Sequence, residues 1–374
     1  MSSLPTSGSA RVERLTAEAF TVPTDAPEAD GTFAWDSTTL VLVRVSSEGE
    51  TGTGWTYAPA ATAAVIDEAL APVVCGATAL DVGGAWASMV RQVRNSGRRG
   101  LVGYAISAVD VALWDLKARL LGLPLHRLLG AVRTEVPIYG SGGFTTYDDR
   151  QLTEQLTRWT VDQRIPRVKI KIGESWGTCV GRDVERMRRA REIVGPDVQL
   201  FVDANGAYGA GQAIRVMDDV RDLDVRWFEE PVSSDDLAGL RHVRERVTAD
   251  VAAGEYAGDL FEVRGLCASG AVDCLQLDVS RIGGITEWQR GAAVAAAHNL
   301  QVSGHCGPHL HAHVAAATPN LRHLEWFHDH ERIETMLFDG TLDPSGGTIT
   351  PRDDAIGHGL TFRDDAADPY RMTP

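Results

Sequence analysis

The chain has 374 residues, enough for one large barrel plus a smaller domain. Its 44% hydrophobic and 23% charged content is that of a soluble globular protein. A formal net charge of −15 argues against a nucleic-acid binder and a polybasic membrane-surface protein, but still allows a locally positive pocket for a small anion.

The N-terminal stretch MSSLPTSGSARVERL lacks the apolar core of a leader peptide, and no run reaches roughly 18 apolar residues. The five cysteines (Cys75, Cys179, Cys267, Cys274 and Cys306) show no CxxC spacing, which argues against a disulfide framework and a structural zinc site. The expectation is a cytoplasmic protein. Residues 1–134 read as an α+β unit. Strands are expected over 11–22 and 38–45, with an exposed mobile loop, Pro23–Ser37, between them. The turn-rich stretch Gly49–Gly54 leads to Trp55 and Tyr57, and helices are expected near 60–72, 80–94 and 103–121.

From about Glu135 short apolar runs alternate with amphipathic helices. The runs cover 136–142, 167–173, 198–205, 226–232, 250–256, 274–280, 301–305 and 322–327. Eight strands with seven intervening helices predict a (β/α)7β TIM-type barrel over 135–330. No glycine-rich phosphate loop follows any strand. The tail, 331–374, is expected to complete the capping domain.

Chemistry in such barrels sits at the C-terminal strand ends. Read in order, those ends carry Lys169 and Lys171, Asp203, Glu229 with Glu230, Glu255, Asp278, His305 and Glu325. Any one of these is unremarkable as a loop charge. The whole series at one rim needs something to neutralise it. Asp203, Glu229 and Glu255, spaced 26 residues apart, make an all-oxygen set that suits Mg2+. Glu230 should point the other way along its strand. Lys169 and Lys171 both face the interior, where burial could lower a lysine far enough to make it a base. Asp278 and His305 end neighbouring strands, so the carboxylate can fix the imidazole tautomer. His309, His311 and His313 read as structural or supporting residues.

The motifs KIK at Lys169–Lys171, VDANG, WFEEP, AAGEY, DVSRIGG, SGH and HLEW resemble the enolase superfamily, specifically its mandelate racemase-like group, over nearly the whole chain. The resemblance implies an N-terminal α+β capping domain before the barrel. It implies Mg2+ on Asp203, Glu229 and Glu255, with Lys171 as one base and His305 paired with Asp278 as the other. It also implies Lys169 and Glu325 on the substrate carboxylate and Asn205 touching substrate. Muconate-lactonizing-like members carry a lysine five residues before the strand-six GG; Asp278 stands there in this chain.

The implied reaction is removal of the proton α to a carboxylate of a small-molecule substrate. Acid-sugar dehydration to a 2-keto-3-deoxy acid is favoured. The alternatives are racemisation or epimerisation of a 2-hydroxy acid and a catalytically silent homologue. Trp35 and Tyr57, with Phe33 and Trp55, are the cap aromatics expected near substrate, joined from the barrel by Tyr139, Trp326 and His328. A homo-oligomer, dimer or octamer, is expected.

Overall fold

The computed structural model describes residues 10–372. Residues 1–9, which cover most of the stretch read as lacking a leader, and residues 373 and 374 of the tail lie outside the described residues.

The N-terminal part is a three-stranded antiparallel sheet in the order β1 (Arg14–Ala29), β2 (Ala34–Ser47), β3 (Glu50–Tyr57). Helix α2 (Leu101–Leu120) packs on it, and α1 (Val82–Gln92) packs against α2. Helix α2 lies unusually close to β3. A Cβ on Gly52 would come within 2.3 Å of the Ala112 carbonyl oxygen, and one on Gly54 within 2.4 Å of that of Ala108. Only glycine permits this approach. The other side of α2 meets the barrel, where Asp110 accepts from the backbone N–H and hydroxyl of Thr286 at 2.9 and 2.6 Å.

The expected loop over Pro23–Ser37 is instead a long two-stranded ribbon. Both strands run through it, and only the tip at 30–33 turns. Proline is tolerated because β1 is an edge strand, where a missing N–H costs no ladder bond. The Gly49–Gly54 stretch is likewise mostly strand, with its turn confined to residues 48 and 49.

Eight parallel strands close the barrel: β4 (Val136–Gly142), β5 (Arg167–Lys171), β6 (Gln199–Asp203), β7 (Val225–Glu229), β8 (Asp250–Ala253), β9 (Cys274–Leu277), β10 (Gln301–Gly304) and β11 (Leu321–Phe327). Each pairs with the next, and β11 pairs with β4. Side chains alternate along each strand. Tyr139, Phe201, Trp227, Ala252 and Cys274 therefore form an apolar floor, with the charged residues one layer higher. The tail begins with a helix, α3 (His328–Leu337). It then adds Thr348–Ile349 to β4 and returns to the N-terminal sheet, where Phe362 meets Phe20 and the Met372 N–H reaches the Ala19 carbonyl. Among the described residues no helix is long and apolar enough to cross a membrane.

Candidate active site

Lys169 rises from the floor with its ammonium 5.4 Å above the Tyr139 ring. It is fully buried and donates to Glu229 Oε1 at 2.5 Å, with Glu325 Oε1 at 2.7 Å and Asp203 Oδ2 at 3.3 Å. One turn of the pleat higher, Lys171 donates to Asp203 Oδ2 at 2.6 Å. Ser141 donates to Glu325 Oε1 at 2.6 Å and Trp227 to Glu229 Oε2 at 2.8 Å. Beyond the ends of β9 and β10, His305 Nδ1 meets Asp278 Oδ2 at 2.8 Å. The other oxygen, Oδ1, accepts from the N–H and hydroxyl of Ser280, both at 2.7 Å. With Nδ1–H committed to Asp278, Nε2 faces the mouth, 3.3 Å from Glu255 Oε2.

Three residues that the sequence did not single out join this layer. Arg281 is wedged between Glu255 Oε1 at 3.1 Å and Asp278 Oδ2 at 3.3 Å. Cys306, in a left-handed conformation (φ +48°), donates its N–H to Glu325 Oε2 at 2.9 Å and places Sγ 3.2 Å from His305 Nε2. Asp30, at the hairpin tip, accepts from the N–H groups of Thr32 and Phe33 and interacts with the charge of Lys171. The tip seats on the barrel: Thr32 donates to the Asn205 carbonyl at 3.4 Å, and a Cβ on Gly31 would come within 2.7 Å of the Ala204 and Ile172 carbonyl oxygens.

Three expectations change, those for Glu230, Lys171 and Tyr57. Glu230 does not turn away. Strand β7 ends at Glu229, Glu230 takes a left-handed φ of +36°, and its buried carboxyl feels Glu255, Asp203 and Glu229. Lys171 is not pushed down: burial favours its neutral form, but Asp203 and the other carboxylates outweigh it and hold the ammonium above its ordinary value. Tyr57 gives its hydroxyl to Glu334 Oε1 at 3.2 Å and stacks on His330, so it supports the wall from behind. Trp35 gives its N–H to Glu28 and packs edge-on against Phe144, beside the mouth. His311 accepts from the Val279 N–H at 2.8 Å and lies 3.6 Å from Asp278, a supporting role; His309 and His313 are buried in the same helical segment, 308–316.

The carboxylates are each held by a cation and are not gathered on one point: Asp203 and Glu229 by the lysines, Glu255 by Arg281. Their surplus is nonetheless plain. Burial and then Asp203 push Glu229 well above the usual carboxylate range, and burial and then Glu255 do the same to Glu230. Despite burial, Lys171 and Lys169 bring Asp203 down to about 2. Glu255 Oε2, Glu230 Oε1 and Asn205 Oδ1 are buried acceptors with no donor. An all-oxygen set with excess negative charge and unpartnered acceptors fits a hard dication. A cavity of about 570 Å³, lined by Arg167, Phe201, Trp227, Arg226 and Arg322, opens at the opposite end of the barrel and touches none of these groups.

Residues 16–130 match the N-terminal domain of mandelate racemase / muconate lactonizing enzyme, and residues 151–366 match the enolase C-terminal domain-like model. A mandelate racemase/muconate lactonizing enzyme-like protein from Rubrobacter xylanophilus superposes with a TM-score of 0.93 at 47% identity, covering 97% of this chain and 100% of that one. The 3,6-anhydro-alpha-L-galactonate cycloisomerase of Streptomyces coelicolor is 32% identical over 84% of this chain and 88% of its own. L-talarate/galactarate dehydratase from Salmonella typhimurium, liganded with Mg and L-lyxarohydroxamate, gives a TM-score of 0.89 at 27% identity, covering 97% and 93%. Other curated relatives are dehydratases of gluconate, arabinonate, rhamnonate and xylonate.

Proposed function

Since this chain belongs to the mandelate racemase-like group of the enolase superfamily, we propose that it is a Mg2+-dependent enzyme that removes the proton α to a carboxylate and dehydrates an acid sugar to a 2-keto-3-deoxy acid. The observation that carries the reading is the His305–Asp278 pair standing three strands around the ring from Lys171, with Glu325 between them.

Asp203, Glu229 and Glu255, with Glu230 beside them, are the residues that would hold Mg2+, which when bound supplies positive charge to the carboxylate oxygens of a substrate. Lys169 pairs with the same carboxylate from below, and Glu325, which despite burial Lys169 holds ionised in the described structure, donates a hydrogen bond to it only once it has taken up a proton. Lys171, as the free amine, takes the α-proton, and the electron pair moves onto the carboxylate. Its ammonium state beside uncancelled Asp203 means that this base form depends on charge being drawn from that carboxylate. His305, protonated, delivers a proton from Nε2 to the β-hydroxyl, which leaves as water. Asp278 keeps the imidazole oriented and stabilises its charged form. The resulting enol becomes the 2-keto acid. General base catalysis accounts for about 10²–10⁴-fold, so stabilisation of charge on the carboxylate must carry more of the barrier.

A second reading, racemisation of a 2-hydroxy acid, draws on the flank of the mouth. Phe144, Tyr147, Phe327 and Cys306 form an apolar cluster backed by Trp35, with the Phe327 ring 6.0 Å from the Lys171 ammonium. Such a wall suits an apolar substituent better than a fully hydroxylated chain. Both readings share the first proton transfer. Incubating the Mg2+-loaded protein with aldonic, aldaric and aromatic 2-hydroxy acids, and assaying both 2-keto acids and optical inversion, decides between them. Absence of both products and of α-proton exchange across the library overturns the proposal. A cytoplasmic homo-oligomer, dimer or octamer, belongs to the same proposal. All five cysteines are free, which suits a reducing compartment, and light scattering measures the assembly.

A further inference from the structure

Away from the mouth, the hairpin meets the barrel through polar side chains that this chemistry does not use. Between Pro23 and Glu28 the pairing of β1 with β2 slips: Pro23 stands opposite Ser37, but Glu28 opposite Trp35. A bulge re-aims side chains. Here it sets Asp25 and Glu28 against His328, the residue after β11. His328 Nε2 lies 3.2 and 3.0 Å from the two oxygens of Asp25. One ligand atom each from Asp25, Glu28 and His328 falls within 4.8 Å of the others. Glu28 is 1% exposed; its Oε2 accepts from Trp35 at 2.8 Å, and its Oε1 has no partner. The Asp25 side chain is 47% exposed, so the group is sealed at Glu28 and open to solvent at Asp25.

Charge points the same way. Asp329 adds a third carboxylate close to Glu28 and is itself bound to Arg332 at 2.6 Å and to the Thr38 hydroxyl at 2.5 Å. Burial and then the charge of Asp329 raise Glu28 to about 9, so the crowded carboxyls, with Arg332 as the guanidinium beside them, lack the positive charge that a dication would supply. A buried carboxylate oxygen without a donor is costly unless something positive reaches it.

We infer that Asp25, Glu28 and His328 form a second cation site, selective for a divalent ion of Zn2+ character. One imidazole nitrogen with carboxylate oxygens separates it chemically from the all-oxygen set at the mouth. Two ligands come from β1 and the third from the chain three residues beyond Glu325. The ion therefore ties the stem of the hairpin to the barrel while the tip, at Asp30 and Thr32, rests on the mouth. The inference does not depend on the proposed reaction.

To test it, the full-length protein is kept in millimolar Mg2+, dialysed against micromolar Zn2+, and its bound zinc measured by elemental analysis. Wild type should retain one zinc per chain. His328→Gln and Glu28→Gln should each weaken zinc retention by at least about 10-fold, the lower end of what even outer-shell changes cost. Asp25→Asn, at an exposed position that folding tolerates, should weaken it too. Asp203→Asn should leave this zinc in place. Co2+ substituted for zinc should show d–d absorption without a thiolate charge-transfer band. No retained zinc in wild type, or retention unchanged in Asp25→Asn and His328→Gln, would overturn the site. So would a thiolate band, which would place the ion at His305, Cys306 and Glu325, the other tight group of potential ligands among the described residues.

Discussion

The sulfur of Cys306 lies 3.2 Å from Nε2 of His305, the ring nitrogen left facing the mouth once Asp278 holds Nδ1. The thiol thus stands beside the proton that His305 would transfer, inside an apolar wall. Burial, followed by the charge of Glu325, pushes this thiol well above its ordinary pKa. A neutral, enclosed thiol is a poor nucleophile. Iodoacetamide should label exposed Cys75 first, with Cys306 among the late, buried cysteines beside Cys267 and Cys274, as read by mass spectrometry. Early modification of Cys306 in folded protein would show that the wall opens.

Asp278→Asn should keep the fold but leave His305 in the wrong tautomer. The analogous change in a serine protease triad costs about 10⁴-fold, which sets the upper scale. Dehydration should fall, while α-proton exchange through Lys171 is largely spared. Equal loss of both, with weakened Mg2+ binding measured by calorimetry, would make Asp278 a ligand in its own right.

Glu230→Gln removes one charge from the crowded rim without changing shape. If Glu230 supports the ion, Mg2+ affinity should fall by about 10- to 100-fold. Unchanged affinity in equilibrium dialysis would confine Glu230 to a packing role.

Glu334 accepts from Trp55, Tyr57 and the His309 N–H, yet burial raises it to about 8 from an ordinary 4.5. The folded state therefore binds a proton more tightly than the unfolded chain does. Between about pH 4.5 and 8 this group's contribution to stability is lost as pH rises, at up to about 1.4 kcal/mol per pH unit. Glu334→Gln should flatten that part of the pH dependence in denaturant titrations. An unchanged slope would mean that Glu334 stays ionised in the folded protein.

The barrel and its charged rim were legible because two signals coincide there. Apolar runs recur at one βα spacing, and every run after the first ends in an ionisable residue such as Asp203, Glu229 or His305. Glu230 was not legible, because strand alternation predicts its direction only while the strand continues, and the left-handed turn at Glu230 ends it. The hairpin was misread because Pro23 and Pro27 look like loop residues, whereas an edge strand with a bulge accommodates them. Arg281 could have been found by charge balance, as a cation three residues after Asp278 on an acidic rim. Nothing in the sequence around Cys306 distinguishes it except adjacency to His305. Tyr57 faces Glu334 because the tail helix, distant in sequence, packs behind it.

The central claim is that Lys171 and His305 stand on opposite faces of the substrate, both within reach of the α-carbon, with His305 also serving the β-hydroxyl in dehydration. Face-resolved α-proton exchange in D2O tests it most directly, using the Mg2+-loaded protein and a substrate or a close analogue. Wild type should exchange; Lys171→Ala should lose exchange from one face and His305→Asn from the other. Loss of exchange from the same face in both variants would contradict the account.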